Sequence, residues 1–166
     1  MAAKIDGMTD MLIRLYALPA PTRPAAEECL ANHVVRKPIG CEHERVVAWV
    51  QAEFGAGWAS EARVALQNRP VSLLMAVQGG QPIGFVCYDA TARGYVGPIG
   101  VEASARGTGI GAALLRAALE EMRTVGYGYA IAGAVGAVEF FRRVAGATEI
   151  ADSTPGLYAG RINVRR

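Results

Sequence analysis

The period of apolar and polar positions changes twice along this chain, near residue 70 and again just after residue 101. In the first part, Val46, Val47, Val50 and Phe54 recur at helical spacing, which predicts a helix over residues 43–54. Gly55-Ala56-Gly57 breaks it, and a further helical piece is expected over residues 60–67, before Pro70. Upstream, residues 1–10 read as a frayed start and residues 11–18 as a first strand stopped by Pro19-Ala20-Pro21. Residues 24–33 read as a helix with Pro24 in its first turn, and residues 34–44, which hold Pro38 and Gly40, as loop.

From residue 71 the pattern becomes that of short strands with small turns between them. Residues 71–78, 84–90 and 95–101 are predicted strands, separated by Gly79-Gly80 and Arg93-Gly94, and so form an antiparallel meander. A helical period then returns: Ile110, Leu114, Leu115, Ala118, Met122 and Val125 mark one apolar side, and Gly126 suits the C-terminal cap. Residues 127–132 read as a buried strand, 135–144 as a helix, and 148–151 and 157–164 as two closing strands. The class is α+β, expected as one domain over residues 1–166.

Composition narrows the functional classes. With 52% apolar and 19% charged residues in 166, the chain has a globular profile and enough length for a core. A formal charge of +2 gives no basis for nucleic-acid binding, and Arg161, Arg165 and Arg166 read as a solvated basic end. No apolar run approaches the roughly 20 residues that span a bilayer, so no membrane association is expected. Cys29, Cys41 and Cys87 are odd in number and include no Cys-x-x-Cys pair, which fits a reducing, cytoplasmic setting. Cys29, His33, Cys41 and His43 lie close in sequence, but their spacing matches no familiar zinc pattern, and no metal is expected.

The chemistry concentrates at Arg106-Gly107-Thr108-Gly109-Ile110-Gly111, a glycine loop that opens a helix. Such a loop presents successive backbone N–H groups to an anion. A P-loop would need a lysine followed by Ser or Thr, where this chain has Ala112 and Ala113. Gly107 to Ala112 also satisfy the dinucleotide fingerprint, which makes a nicotinamide oxidoreductase an alternative. That reading lacks the ribose-binding acid, since the next strand runs into Ala130-Ile131-Ala132-Gly133. Just ahead of the loop, Tyr95-Val96-Gly97-Pro98-Ile99-Gly100-Val101 carries two glycines and a proline, residues that mark a bulge or a close ligand approach.

Arg106 to Gly111, following a strand that ends at Val101, fits R/Q-x-x-G-x-G/A and resembles motif A of the GNAT N-acetyltransferase superfamily. Val138-Glu139-Phe140-Phe141 through Gly146-Ala147 resembles its motif B. Together these cover residues 84–150. The resemblance implies a mixed, mostly antiparallel sheet of six or seven strands, splayed at the fourth and fifth, with about four helices. It implies acetyl-CoA as acyl donor, with Arg106, Gly107, Thr108, Gly109, Ile110 and Gly111 on its pyrophosphate. Ile99 and Val101 would make backbone contacts to the pantetheine arm and thioester. Arg116, Arg142 and Arg143 lie where a 3′-phosphate contact would come from.

The implied reaction is direct acetyl transfer to the amine of a small molecule or peptide, and a homodimer accords with the family's habit. The family's tyrosine acid and asparagine correspond here to Phe141 and Ala134, so a non-catalytic coenzyme A-binding module is a second reading. For catalysis the chain offers Tyr158 as substitute acid, with Tyr88, Tyr95 and Tyr129 as others, and Asp89 or Glu102 as base. By position in the family's first helices and loop, His33, Arg36 and Lys37 are candidate acceptor contacts. Trp49 and Trp58 read as packing residues.

Overall fold

A computed structural model describes residues 8–20 and 33–162. Residues 24–32 of the predicted helix 24–33, Cys29 among them, the extreme N-terminus and Arg165–Arg166 lie outside the described residues. Among those described, seven strands form one sheet: β1 (Thr9–Arg14), β2 (Val34–Arg36), β3 (Leu73–Gln78), β4 (Gln81–Tyr88), β5 (Tyr95–Val101), β6 (Tyr129–Val135) and β7 (Thr148–Glu149). Their spatial order is β2-β3-β4-β5-β6-β1-β7. Every pairing is antiparallel except β5 with β6, which is parallel.

Four α-helices accompany the sheet within the described residues: α1 (His43–Phe54), α2 (Ala56–Gln67), α3 (Ile110–Val125) and α4 (Val138–Ala145). Their apolar stripes build two cores. Val46, Val47 and Val50 of α1 and Ala59, Ala62 and Ala65 of α2 pack with Leu73, Phe85 and Cys87. Leu114, Leu115, Ala118 and Met122 of α3 pack with Met11, Ile13, Leu74 and Val86, and Val144 of α4 joins them. With helices on both faces, β4 is buried almost end to end, which explains its unbroken apolar run. Gly84 lets α3 come close, since a Cβ there would stand 2.8 Å from Leu114 Cδ1. No described helix is long and apolar enough to cross a membrane.

The meander, the 43–54 helix and the α3 helix with its Gly126 cap lie where the periodicity predicts them. Several boundaries differ. The first strand ends at Arg14, and a 3-10 turn over Leu15–Ala17 takes over. Val34–Arg36, predicted as loop, pairs as an edge strand with β3, so the splayed strands become the fifth and sixth of the chain. α2 starts at Ala56, through Gly57, because Trp58 stacks on Phe54 across the Gly55 break. Within the described part of the closing strand predicted at 157–164, residues 157–162, a 3-10 turn at Gly156–Tyr158 stands in place of a strand. Its tyrosine is used at the site described next.

Candidate functional site

β5 and β6 touch for only two residue pairs, Tyr95 with Ile131 and Val96 with Ala132, and then part. Two local features drive the separation. On β5, Gly97 has φ +125° and Pro98 has no N–H to offer a ladder. On β6, Ala134 has φ +49° and donates its N–H to Asp10 Oδ1 at 2.8 Å, so that strand turns toward β1. Asp10 is buried, and its own N–H bonds to Ser153 Oγ.

The gap opens into a cavity of about 1310 Å3 that passes between α3 on one face of the sheet and α2 on the other. Ile99 and Val101 wall it on the β5 side and Gly133 and Ala134 on the β6 side. Beyond Val96, the edge of β5 that faces β6 has no strand partner.

At one end stands the glycine loop. Arg106, Gly107, Gly109 and Gly111 line the cavity. Gly109 has φ +88° and serves as the N-cap of α3, a left-handed conformation that favours glycine. No side chain caps this helix end and its first turn holds no acid, so its free N–H groups and positive dipole face the cavity. Arg106 Nε donates to the Val101 carbonyl at 3.0 Å and ties the loop to the end of β5. Thr108 donates to the Ala105 carbonyl at 2.6 Å, and Ile110 turns into the core, so these two shape the loop rather than line the cavity. Arg116, which donates to the Pro19 carbonyl at 2.8 Å, and Arg143 also line it, and Arg142 is held by Glu139 and Glu149.

The opposite end is polar and comes from scattered segments: Glu61 and Trp58 of α2, Thr91 of the β4–β5 turn, and Tyr158 and Arg161 near the C-terminus. Thr91 Oγ1 donates to Glu61 Oε1 at 2.5 Å. The Tyr158 hydroxyl lies over Gly133, where a Cβ would come within 2.7 Å of it. Burial raises the Tyr158 pKa and the charges of Glu61 and Asp10 raise it further, while the adjacent Thr91 hydroxyl favours ionisation. The phenol is therefore protonated at neutral pH.

Other sequence candidates stand elsewhere. Asp89 closes the β4–β5 turn, taking Gly94 N–H at 2.7 Å and the Tyr127 hydroxyl at 3.0 and 2.9 Å, and does not line the cavity. Glu102 accepts from Ser104 Oγ at 3.0 Å beside the loop, also outside it. His33, Arg36 and Lys37 sit at or beside edge strand β2, with β3 and β4 between them and the gap. His33 is buried there, which lowers its pKa. Arg36 forks onto Glu42 with two 2.7 Å bonds, and Lys37 pairs with Glu121 at 3.0 Å. Of the other tyrosines, Tyr88 donates to Glu121, Tyr129 pairs with Tyr16, and Tyr95 packs beside Gly133. Phe141 lines the cavity with no proton to give, edge-on to Phe140. Among the described residues no cluster of His, Cys, Asp or Glu is arranged to hold a metal ion.

Sequence reasoning missed Glu61, Thr91 and Asp10. The one local sign was Glu61 itself, a lone acid beside the buried stripe of Ala59, Ala62 and Ala65.

Comparison with known proteins agrees with this architecture. The sequence matches the family described as the acetyltransferase (GNAT) family over residues 41–147. No curated protein matches it. The fold is similar to a GCN5-related glucosamine N-acetyltransferase region of a fungal multi-domain GH3 β-N-acetylglucosaminidase (TM-score 0.71, 17% identity, 86% of this chain and 20% of that one). It is also similar to a GCN5-related N-acetyltransferase from Sphaerobacter thermophilus (TM-score 0.65, 23% identity, 86% and 48%). A third likeness is a GCN5-related N-acetyltransferase from Kribbella flavida (TM-score 0.58, 16% identity, 89% and 56%). The chain thus spans between a fifth and just over half of the length of these structures.

Proposed function

The chain belongs to the acetyltransferase (GNAT) family, and from that premise we propose that it moves the acetyl group of acetyl-CoA directly to the amine of a small molecule or peptide. The observation that carries this reading is the cavity through the sheet, with an uncapped helix N-terminus and glycine loop at one end and a polar cluster at the other. The loop is suited to the pyrophosphate, where backbone N–H groups meet an anion without competing carboxylates. Ile99 and Val101 are suited to guide the pantetheine arm along the unpaired edge of β5, and a free N–H there would polarise the thioester carbonyl. Arg116 and Arg143 are suited to the 3′-phosphate.

Tyr158 takes the acid role that Phe141 leaves open. Its hydroxyl stands at the fork between β5 and β6, and burial keeps it protonated. Phe141 favours a second reading, a coenzyme A-binding module without catalysis, because no proton donor occupies that wall.

Calorimetric titration with acetyl-CoA, paired with thiol release across a panel of primary amines, separates these. Direct transfer expects binding and turnover; the module expects binding alone; no binding ends both. Arg106→Ala should weaken binding roughly tenfold, as expected when a charge-assisted contact is lost. Arg36→Ala, two strands away, should leave it unchanged.

A further inference from the structure

The two tryptophans of the α1–α2 pair are placed differently. Trp49 meets Phe54 and Phe85 edge-on and does not line the cavity. Trp58 stacks on Phe54, with ring centroids 5.4 Å and planes 27° apart, and meets Phe85 at 6.1 Å and 66°. It is nevertheless 37% exposed and lines the cavity. Phe54 covers one face of the indole and Phe85 fixes its tilt. What is left open is a flat apolar surface already held in place, which a ligand can cover at little cost in ordering.

The polar groups at this end are of both kinds. Glu61, one turn along α2 from Trp58, has Oε1 committed to the Thr91 hydroxyl, while no described residue donates to its Oε2. Arg161 lines the cavity with no ion pair or side-chain hydrogen bond to a described residue. The first is a negatively charged acceptor and the second a positively charged donor. Glu61 is also the single acid among the described lining residues.

We propose that this end of the cavity seats an amino sugar, an amine carried on a neutral hydroxylated ring, with Trp58 as the residue that selects the ring. The proposal rests on the acetyl-transfer reading above and names its acceptor class.

A pyranose has an apolar C–H face and a polar rim. The face suits the open indole. Each rim hydroxyl donates and accepts at once, so the rim can donate to Glu61 Oε2 and accept from the Arg161 guanidinium. Other amines match these groups less well. A polyamine would set a second cation against Arg161, with Glu61 as its one carboxylate. An arylalkylamine would cover the indole but leave Oε2 and the guanidinium without partners where water is displaced, which costs affinity. An acceptor with a carboxylate would answer Arg161 and be opposed by Glu61.

The test uses the full chain with acetyl-CoA and five amines: D-glucosamine, D-galactosamine, phenethylamine, spermidine and a short peptide with a free N-terminus. Read by thiol release, the amino sugars should exceed the others roughly tenfold or more in kcat/KM. Trp58→Leu should cut that preference roughly tenfold, and Trp58→Phe, which keeps a ring, should cut it less. Arg161→Ala should cut it roughly 2- to 10-fold. A merely structural Trp58 would slow all acceptors alike, and an unchanged preference in Trp58→Leu overturns the proposal. So does a wild type that prefers phenethylamine, spermidine or the peptide. Saturation-transfer NMR gives a readout free of catalysis. With coenzyme A present, the ring protons of D-glucosamine should receive saturation from the wild type, lose it in Trp58→Leu and receive less in Arg161→Ala. Should Trp58→Leu fail to fold, Trp58→Phe and Arg161→Ala carry the same comparison. Absence of acetyl-CoA binding, or of thiol release with every amine, overturns the acetyl-transfer reading instead, and the saturation transfer then decides the sugar seat by itself.

Discussion

At the scale of single residues, the sheet places its charged groups in two different kinds of work. Around the gap, polar side chains face a cavity; at the β2 edge they hold each other. Glu42 shows the second kind: the Arg36 guanidinium first, and then the Ile39 N–H, hold its carboxyl at about 2. A folded-state pKa below the unfolded value of 4.5 contributes stability that is complete above that value. The contribution is lost as pH falls from about 4.5 through about 2. The melting temperatures of the wild type and Glu42→Gln should therefore differ at neutral pH and converge across that acid window. Thermal unfolding followed at a series of pH values checks this. Acetyl-CoA affinity should not change in Glu42→Gln, because Glu42 does not line the cavity and its partner Arg36 is on β2, with β3 and β4 between that strand and the gap.

At the scale of elements, α3 combines a packed side with an open end. Its apolar side locks onto the sheet through Leu114 and Leu115, while its N-terminus lacks a side-chain cap. A helix end normally stabilised by Ser, Asp or Asn is here uncapped, a state that suits an anion. Coenzyme A should therefore stabilise the fold by mass action. At 100 times its dissociation constant the gain is about 2.7 kcal/mol, which for a domain of this size is roughly a 5–10 °C rise in melting temperature. A thermal-shift titration reads it, and an unchanged melting temperature at saturating coenzyme A would count against the loop as its site. The helical period predicted α3 closely because its packing face is set by local spacing. β2 escaped prediction for the opposite reason, being three residues long and existing only as a pairing with β3.

At the scale of the whole molecule, the site depends on chain ends meeting. Asp10 of β1 holds the turned-out end of β6 through Ala134, and its backbone bonds to Ser153 and Ile150 of the C-terminal stretch that leads to Tyr158. Asp10→Ala strands the Ala134 N–H, at a cost of about 1–3 kcal/mol, or on the order of 3–10 °C in melting temperature. It should also slow thiol release more than it weakens acetyl-CoA binding, because the tyrosine is displaced and the glycine loop is not. Asp10→Asn, which keeps an acceptor oxygen, should lose less on both counts. Unfolding curves, steady-state kinetics and calorimetry on the two variants supply the comparison.

What the amino-acid sequence determined on its own was local and contiguous. The three-strand meander, the glycine loop running into an amphipathic helix, and the Gly-Pro-interrupted strand ahead of it are each written within a short window, where spacing alone sets the backbone. The glycine loop that lines one end of the cavity was legible for that reason. Only the tertiary structure decided the other end. Asp89 and Glu102, close in sequence to the motif, prove to be tied up in a turn and beside the loop. Glu61 and Thr91 bond across 30 residues, and Tyr158 joins them in lining the cavity once two strands part and its hydroxyl comes to lie over Gly133. Such a meeting follows from sheet order and strand divergence, which are sums over many long-range contacts, and no short window of sequence contains them.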